Sequence, residues 1–231
     1  MKSFFTHLIL ILLLIVVQYY VFLGCGVSEE NSNIKFKYAD GDEALVIKKG
    51  LSKIEGYFGE EIFTLKAGSA NKGKRIYKEV VNDDEKSEFC MVKNKEYDTI
   101  KVMDPSGNNL FYKIKYSDEK VKISDNDEGN NAFVINIKEE KAKLKDPSGN
   151  EIASAKVNEK GKLKVKASDD TELFTAKGIG VSAAPMVLPI DSIPPKYRAV
   201  IINELFRKNN PRVNVVEDEE DKKEEQTKED K

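Results

Sequence analysis

The sequence predicts a mainly β domain: an antiparallel meander of hairpins that closes into a barrel or folds as a sandwich, with an apolar helix near the C-terminus. Three observations support this prediction. Apolar and polar residues alternate from residue 34 onward, a hairpin motif recurs along the chain, and one late apolar segment has helical periodicity. The chain of 231 residues has the length of one domain of ordinary size.

The repeat is clearest in the middle of the chain. Its copies start 21 residues apart, at Ile100, Val121, Ala142 and Leu163. Two copies contain Asp-Pro-Ser-Gly, in which Pro fixes φ at the second position, Asp caps the turn and Gly accepts a positive φ. Each repeat is therefore predicted to be one β-hairpin, and a weaker copy is predicted to begin at Glu79.

The alternation assigns one face of each repeat to the core and the other to water. Val102, Leu144 and Val165 fall on the core face. The opposite face carries two regular rows of lysines, namely Lys141, Lys143, Lys145, Lys162, Lys164 and Lys166. Such rows form a positive stripe suited to contact with anionic lipid headgroups or polysaccharide. A solvated face that discourages edge-to-edge pairing is the simpler interpretation.

The hairpin domain is predicted to span residues 34–210 and to end in a helix from about residue 195 to 207. That helix carries a wide apolar stripe, formed by Tyr197, Val200, Ile201, Leu205 and Phe206, which we expect the sheet to cover. Residues 211–231 are predicted to be a disordered acidic tail. The last 15 of them include 9 acidic, 4 basic and no apolar residues.

The first 24 residues resemble a bacterial lipoprotein signal peptide. Lys2 supplies a positive start, and the apolar run Leu8–Val17 is shorter than the roughly 20 residues of a membrane-spanning helix. The sequence Phe22-Leu-Gly-Cys25 then resembles a lipobox, in which the cysteine is diacylated and becomes the new N-terminus. The resemblance implies that Cys25 is the lipidation site and that acyl chains anchor the protein in the membrane.

After Cys25, residues 25–33 have the polar composition of a tether between lipid and domain. Gly26 is not the Asp that retains some lipoproteins at the inner membrane, so the outer membrane is favoured if the cell has one. An uncleaved anchor of about 20 apolar residues, and cleavage without lipid, are the two alternatives. With Cys25 acylated, Cys90 is predicted to be a small buried residue. Without acylation, a Cys25–Cys90 disulfide is the alternative in an oxidising compartment.

The hairpins and the helix together resemble the tubby-like β-barrel fold, including its LURP-one-related branch. The resemblance covers roughly residues 34–208 and depends on DPSGNNLFYKIK and DPSGNEI, followed by SIPPKYRAVIINELF. It implies successive hairpins around an apolar C-terminal helix. Basic residues bind phosphoinositide headgroups in the tubby branch. No residue of this chain matches that site, so only the fold is implied.

Catalytic and metal-binding motifs are weak in this sequence. The single histidine, His7, lies in the predicted signal peptide, so the mature chain lacks the histidine of Ser-His-Asp catalysis and of His-ligated zinc. Asp125–Asn130 resembles the start of an EF-hand loop, but a hairpin turn is the better interpretation, with weak calcium binding as the alternative. The carboxylate pairs Asp83-Asp84 and Asp169-Asp170 fall in predicted turns, where the burial that tunes a catalytic acid is not expected.

Residues 178–183 fit the dinucleotide-binding pattern G-x-G-x-x-A but lack the βαβ setting, and their glycines are predicted to let the chain leave the barrel. The sequence therefore predicts no enzymatic activity, no cofactor and no metal. With 38 basic and 40 acidic residues, it also gives no support to a nucleic-acid partner.

Together these observations predict a lipid-anchored protein of the bacterial cell envelope, acting as a binding or structural module. Its expected partners are the membrane, through the acyl chains, and an envelope protein, a glycan or anionic lipid. One alternative is a lipid-handling protein that uses the lysine-rich face or the barrel interior. A carboxylate-based hydrolase is the less favoured alternative.

Overall fold

The computed structural model of the protein describes residues 33–81, 84–95, 98–125 and 127–208. The predicted signal peptide, Cys25, the tether up to residue 32 and the tail from residue 209 lie outside the described residues. The strands are β1 (Ile34–Tyr38), β2 (Glu43–Ile47), β3 (Lys53–Phe58), β4 (Glu61–Ala67), β5 (Lys74–Val81), β6 (Asp84–Lys95), β7 (Thr99–Met103), β8 (Leu110–Tyr116), β9 (Lys120–Ser124), β10 (Phe133–Lys138), β11 (Lys141–Lys145), β12 (Glu151–Val157), β13 (Lys162–Ala167) and β14 (Glu172–Lys177). One α-helix, α1 (Pro195–Lys208), follows them.

The strands form a closed antiparallel barrel, so the predicted fold class is confirmed and the open choice between barrel and sandwich is decided. Each strand pairs with its neighbours along the chain, and β1 pairs with β14, with Phe36 opposite Ala176. The four clear repeats begin at β7, β9, β11 and β13, so each repeat is one hairpin, as predicted. The weaker copy predicted at Glu79 falls inside β5 instead, because β5 and β6 form a longer hairpin.

The two Asp-Pro-Ser-Gly turns have the predicted geometry. The Gly107 N–H donates to the Asp104 carbonyl oxygen at 2.9 Å, and φ of Gly107 is +76°. The Asp104 carboxylate in turn accepts the Asn108 backbone N–H at 2.8 Å, so the side chain caps the turn. The turn after β11 repeats this arrangement around Asp146.

The barrel has two rims, which we define by their connections. The upper rim consists of the connections that follow odd-numbered strands, including both Asp-Pro-Ser-Gly turns. The lower rim consists of the connections that follow even-numbered strands, and β1 begins and β14 ends there. At the lower rim, Asn33 accepts the Lys49 backbone N–H at 3.0 Å. The described chain therefore enters the barrel at the lower rim.

Alternation places the apolar residues of the strands on the lumen face, as predicted. Val102, Leu144 and Val165 are all 0% exposed, and at least one lysine flanks each of them on the outer face. Gly56 of β3 also faces the lumen, where the Phe63 ring from β4 covers it; a Cβ on Gly56 would lie 2.2 Å from that ring. Successive side chains of a strand point to opposite faces of the sheet, so one face lines the packed lumen and the other faces water.

Helix α1 lies inside the barrel. Every residue from Arg198 to Phe206 is buried, on all sides of the helix, which is possible only within the lumen. The predicted apolar stripe therefore covers only part of the buried surface of α1, because Asn203 and Glu204 are buried together with the apolar residues. Gly178, at φ +70°, turns the chain out of β14 as predicted, but into the lumen. The segment between β14 and α1 packs there too, with a 3-10 turn at Ala184–Val187.

The helix runs from the upper to the lower rim. Near its start, the Tyr197 ring lies 5.2 Å from the ring of Phe111, at the upper end of β8. At its last residue, Lys208 Nζ lies 5.5 Å from the ring of Tyr116, at the lower end of β8. The described chain thus leaves the barrel at the same rim at which it enters.

Candidate functional site

One candidate is a cluster of buried polar side chains around Glu204 in the lumen. Glu204 is 1% exposed, and its Oε1 accepts hydrogen bonds from the Tyr77 hydroxyl and from Arg75 Nε, each at 2.7 Å. Asn203 Nδ2 donates to the Tyr77 hydroxyl oxygen at 2.8 Å. Tyr77 therefore accepts one bond from α1 and donates another to it, which fixes the helix against β5.

The environment of this cluster favours a structural role. Burial raises the pKa of the Tyr77 phenol well above its ordinary value, and the Glu204 carboxylate raises this pKa further. Tyr77 and Asn203 are 0% exposed and lie within the packed interior. We conclude that the cluster holds α1 in register inside the barrel.

The space beside α1 is small. A cavity of about 30 Å³ lies near the lower rim, between α1 and the ends of β8 and β10. A cavity of this size holds roughly one or two water molecules and is far smaller than an acyl chain. An open groove of about 600 Å³ lies on the lower rim itself, and its lining is mixed: three acidic residues, Lys138, Asn136 and the apolar Ile137 and Val181.

Cys90 lies on the lumen side of β6. It is a free cysteine with 0% exposure, and burial raises the pKa of its thiol. Since the thiolate is the reactive form, the folded barrel keeps this sulfur unreactive. The prediction that Cys90 is a small buried residue is confirmed.

The second candidate is the outer face of β9–β14, which is strongly positive. These six strands contain eleven lysines and two glutamates. All six lysines singled out from the sequence lie here, three on β11 and three on β13, and β12 separates the two rows. The structure therefore brings the two predicted rows onto one continuous surface.

Strand register connects these rows through two further lysines. Lys138 of β10 lies opposite Lys141 of β11, Lys141 lies opposite Lys156 of β12, and Lys156 lies opposite Lys164 of β13. We call Lys138, Lys141, Lys156 and Lys164 the lysine ladder. Neighbouring strands are about 4.8 Å apart, so the ladder sets four ammonium-bearing side chains side by side around the barrel wall.

Ion pairing is uneven along this surface. Lys143 pairs with Glu151 at 2.5 Å, Lys164 pairs with Glu172 at 2.6 Å, and Lys166 lies 3.8 Å from Asp170. Within the part of the chain that the structure describes, Lys138, Lys141 and Lys156 form no hydrogen bond or ion pair through their side chains. Like charges directly opposite each other destabilise a sheet, so the ladder costs stability.

Sequence reasoning missed Lys138 and Lys156 as members of this surface. Neither belongs to a Lys-x-Lys-x-Lys run, which was the signal used for the other six. The alternation in β12 was a usable signal for Lys156, because it follows the buried Ala155. Its position opposite Lys141 and Lys164 depends on register, which the sequence of one strand does not show.

The structure places most of the other sequence motifs in exposed turns and connections, whereas Asp83 of the pair Asp83-Asp84 lies outside the described residues. Asp127 lies in the connection after β9 and pairs with Lys101 at 2.5 Å and Lys113 at 3.1 Å, so the loop that resembles an EF-hand holds lysines. Asp169 caps the exposed turn after β13, where hydrogen bonds from Thr171 lower the pKa of its carboxyl. Among the described residues, no group of three or more metal-binding side chains comes together.

In the described residues, no helix is both long enough and apolar enough to cross a membrane. No protein-family model matches the chain, and no curated protein shows significant sequence similarity to it.

Proposed function

We propose that this protein is a lipid-anchored, non-catalytic binding module of the bacterial cell envelope, which presents the lysine-rich wall of its barrel to anionic partners. The lysine ladder carries this proposal. Three of its four ammonium groups lack a carboxylate partner among the described residues, although the same wall pairs other lysines with glutamates. A surface that keeps a destabilising row of charges is suited to a partner that neutralises it.

The filled lumen supports binding at the wall over binding inside the barrel. A lipid carrier of this shape needs a cavity for acyl chains, and here α1 and the segment before it occupy the lumen. This packing favours the form of the lipid-handling alternative that uses anionic headgroups at the wall. A carboxylate-based hydrolase finds little support, because Asp169 and Asp170 lie in an exposed turn.

The anchor is part of the proposal and has its own test. The full chain is expressed in a bacterium supplied with an alkyne-labelled fatty acid, together with the variant Cys25→Ser. We expect label and membrane association in the natural chain and neither in the variant. Equal labelling of the two would exclude Cys25 as the acceptor.

Binding at the wall is tested with a chain that begins at Gly26, which retains every strand and α1. It is sedimented with vesicles of neutral phosphatidylcholine or of phosphatidylglycerol, at low and high salt. We expect binding to the anionic vesicles only, weakened by salt because exposed charges are screened. Binding to labelled polyphosphate in solution separates affinity for phosphate polymers from affinity for headgroups at a membrane.

A matched pair of variants locates the binding surface. Lys156→Glu reverses the charge in the centre of the ladder. Lys66→Glu makes the same change on the opposite wall, in β4, where Lys66 also lies between two lysines, Lys53 and Lys78. We expect only Lys156→Glu to abolish binding. An equal loss in both variants would indicate a response to net charge alone and would contradict the proposal.

A further inference from the structure

We propose that the acidic C-terminal segment, residues 217–231, binds the lysine ladder of its own molecule and competes there with anionic partners. The contact is inferred from the position at which α1 ends, from the opposite charges of the segment and the ladder, and from the length of chain that joins α1 to the segment. The competition rests on the proposed function of the wall.

The end of the described chain lies beside the ladder. Leu205 and Lys208 of α1 line the small cavity near the lower rim, together with Val121 of β9 and Ile137 of β10. Ile137 faces the lumen and directly precedes Lys138, the first residue of the ladder. The chain after Lys208 therefore starts at the rim from which the ladder extends around the barrel.

The length of the chain is sufficient for the contact. Eight residues, 209–216, connect α1 to the acidic segment, and an extended chain covers up to about 3.5 Å per residue, or about 28 Å in all. From β8 to β13 there are five strand spacings, about 24 Å. The acidic segment can thus reach every position of the ladder without any change in the barrel.

The charges are complementary. The segment carries 9 acidic and 4 basic residues and no apolar one, so it has nothing to bury and a large negative excess. The turn between Lys138 and Lys141 contains Glu139 and Glu140, yet within the described residues neither forms an ion pair with the ladder. The ammonium groups of Lys138, Lys141 and Lys156 therefore remain available to carboxylates from elsewhere.

Two other rows of facing lysines, Lys74–Lys93–Lys101–Lys113 and Lys53–Lys66–Lys78, include lysines that already pair with a carboxylate. Lys101 and Lys113, opposite each other on β7 and β8, share Asp127. Lys53 lies 3.3 Å from Glu55. A polyanionic segment gains least where a native carboxylate must first be displaced, so the ladder is the preferred surface.

The contact is tested by zero-length cross-linking of the chain that begins at Gly26. A carbodiimide joins carboxylates to lysines that touch them, and peptide mass spectrometry locates the links. We expect links from residues 217–231 to Lys138, Lys141 or Lys156, lost at 1 M salt, where the Debye length falls to about 3 Å. Mixing chains labelled with ¹⁴N and ¹⁵N shows whether a link lies within one molecule.

Two outcomes would overturn the contact. One is the absence of links between the segment and the ladder, while Lys143 is still linked to Glu151 as an internal positive control. The other is a distribution of links in which Lys66 and Lys93, on other strands, are joined as often as the ladder. Links found only between differently labelled chains would equally contradict binding within one molecule.

Competition is tested by neutralising the segment in the chain that begins at Gly26, which carries no acyl anchor, with Glu217, Asp218, Glu219, Glu220 and Asp221 changed to the corresponding amides. We expect affinity for phosphatidylglycerol vesicles to rise by roughly tenfold or more, since each charge near such a surface contributes about 1 kcal/mol. The control neutralises five exposed carboxylates at the upper rim, namely Asp40, Asp42, Glu60, Glu61 and Asp84, and we expect a smaller change from it.

These measurements separate the two proposals. Cross-links to the ladder without vesicle or polyphosphate binding by any variant would contradict the proposed function but leave the contact in place. Binding that the ladder variant abolishes, with no cross-link and no gain on neutralisation, would contradict the competition and leave the proposed function in place. Equal gains from the segment variant and its control would overturn the competition.

Discussion

The lumen and the outer wall of this barrel differ in how far their charged side chains are paired with opposite charges. Inside, Glu204 is surrounded by donors, and Arg198 donates to the Leu188 carbonyl oxygen and to Asp191. Outside, three lysines of the ladder face each other with no carboxylate between them in the described part of the chain. The buried charges are compensated because an unpaired charge there is very costly, whereas water tolerates the exposed ones.

This difference distinguishes residues that hold the fold from residues available for function. A buried ionic cluster has a structural role, because the removal of one member leaves the other members without hydrogen-bond partners. An exposed row of like charges stabilises nothing within the barrel itself, so a negatively charged partner outside the barrel is expected to bind it.

The largest effect is expected from Glu204→Ala. The change removes the carboxylate that accepts hydrogen bonds from Arg75 Nε and from the Tyr77 hydroxyl, and these two side chains are mostly and fully buried. Loss of one partner from a buried ion pair typically costs about 3–5 kcal/mol of unfolding free energy, a large part of the stability of a single domain. Urea denaturation of natural chain and variant measures it.

The control for this prediction is Glu79→Gln. Glu79 pairs with Lys196 of α1 at 2.8 Å, but both side chains are about a quarter exposed, and such pairs contribute about 1 kcal/mol or less. If Glu204→Ala cost no more than Glu79→Gln, the lumen cluster would not be the compensated charge that the geometry indicates.

A smaller effect is expected from Gly56→Ala. The added methyl group would lie 2.2 Å from the Phe63 ring, which itself stacks on Phe58 at 6.1 Å between centroids. Overpacking of this kind typically costs about 1–3 kcal/mol. In the double variant with Phe63→Leu, we expect the methyl group to be tolerated. Additive losses in the double-mutant cycle would show that the two residues do not compete for space.

On the wall, Lys156→Glu is expected to raise stability. The substitution converts the like-charge pairs with Lys141 and Lys164 into opposite-charge pairs, which we expect to add a few tenths to about 1 kcal/mol to the unfolding free energy. The same variant is expected to lose vesicle binding. A variant that gains stability while it loses binding marks a residue kept for function, and a loss of stability would contradict the ladder register.

The sequence predicted the strands well because each hairpin is a local structure. Turn residues and alternation lie within about 21 residues of each other, whereas closure depends on β1 meeting β14 at the other end of the domain. The place of α1 was only partly predictable. Asn203 and Glu204 look like a solvated helix face until Tyr77, more than a hundred positions earlier, is seen to bind both.

The sequence predicts which lysines of a single strand face outward. It does not predict which lysines of neighbouring strands lie opposite each other. The runs on β11 and β13 are visible as alternating lysines, and their outward direction follows from period two. Lys138 and Lys156 join them only through pairing registers, and a shift of one residue would turn each lysine toward the lumen. The ladder is thus a property of the folded sheet.

The smallest effect concerns Asp127, the carboxylate that compensates lysines on another part of the wall. Its hydrogen bonds to Lys101 and then Lys113 lower the pKa of the Asp127 carboxyl from an ordinary value near 3.8 to about 2. A depressed folded pKa contributes stability above the unfolded pKa and loses it as pH falls through the folded one, here between about pH 4 and pH 2. We expect a carboxyl ¹³C titration of the natural chain to have its midpoint near 2, and that of the double variant Lys101→Met, Lys113→Met to return toward 3.8. A natural midpoint already near 3.8 would mean that these lysines are no better compensated than the ladder, and the contrast within the wall would disappear.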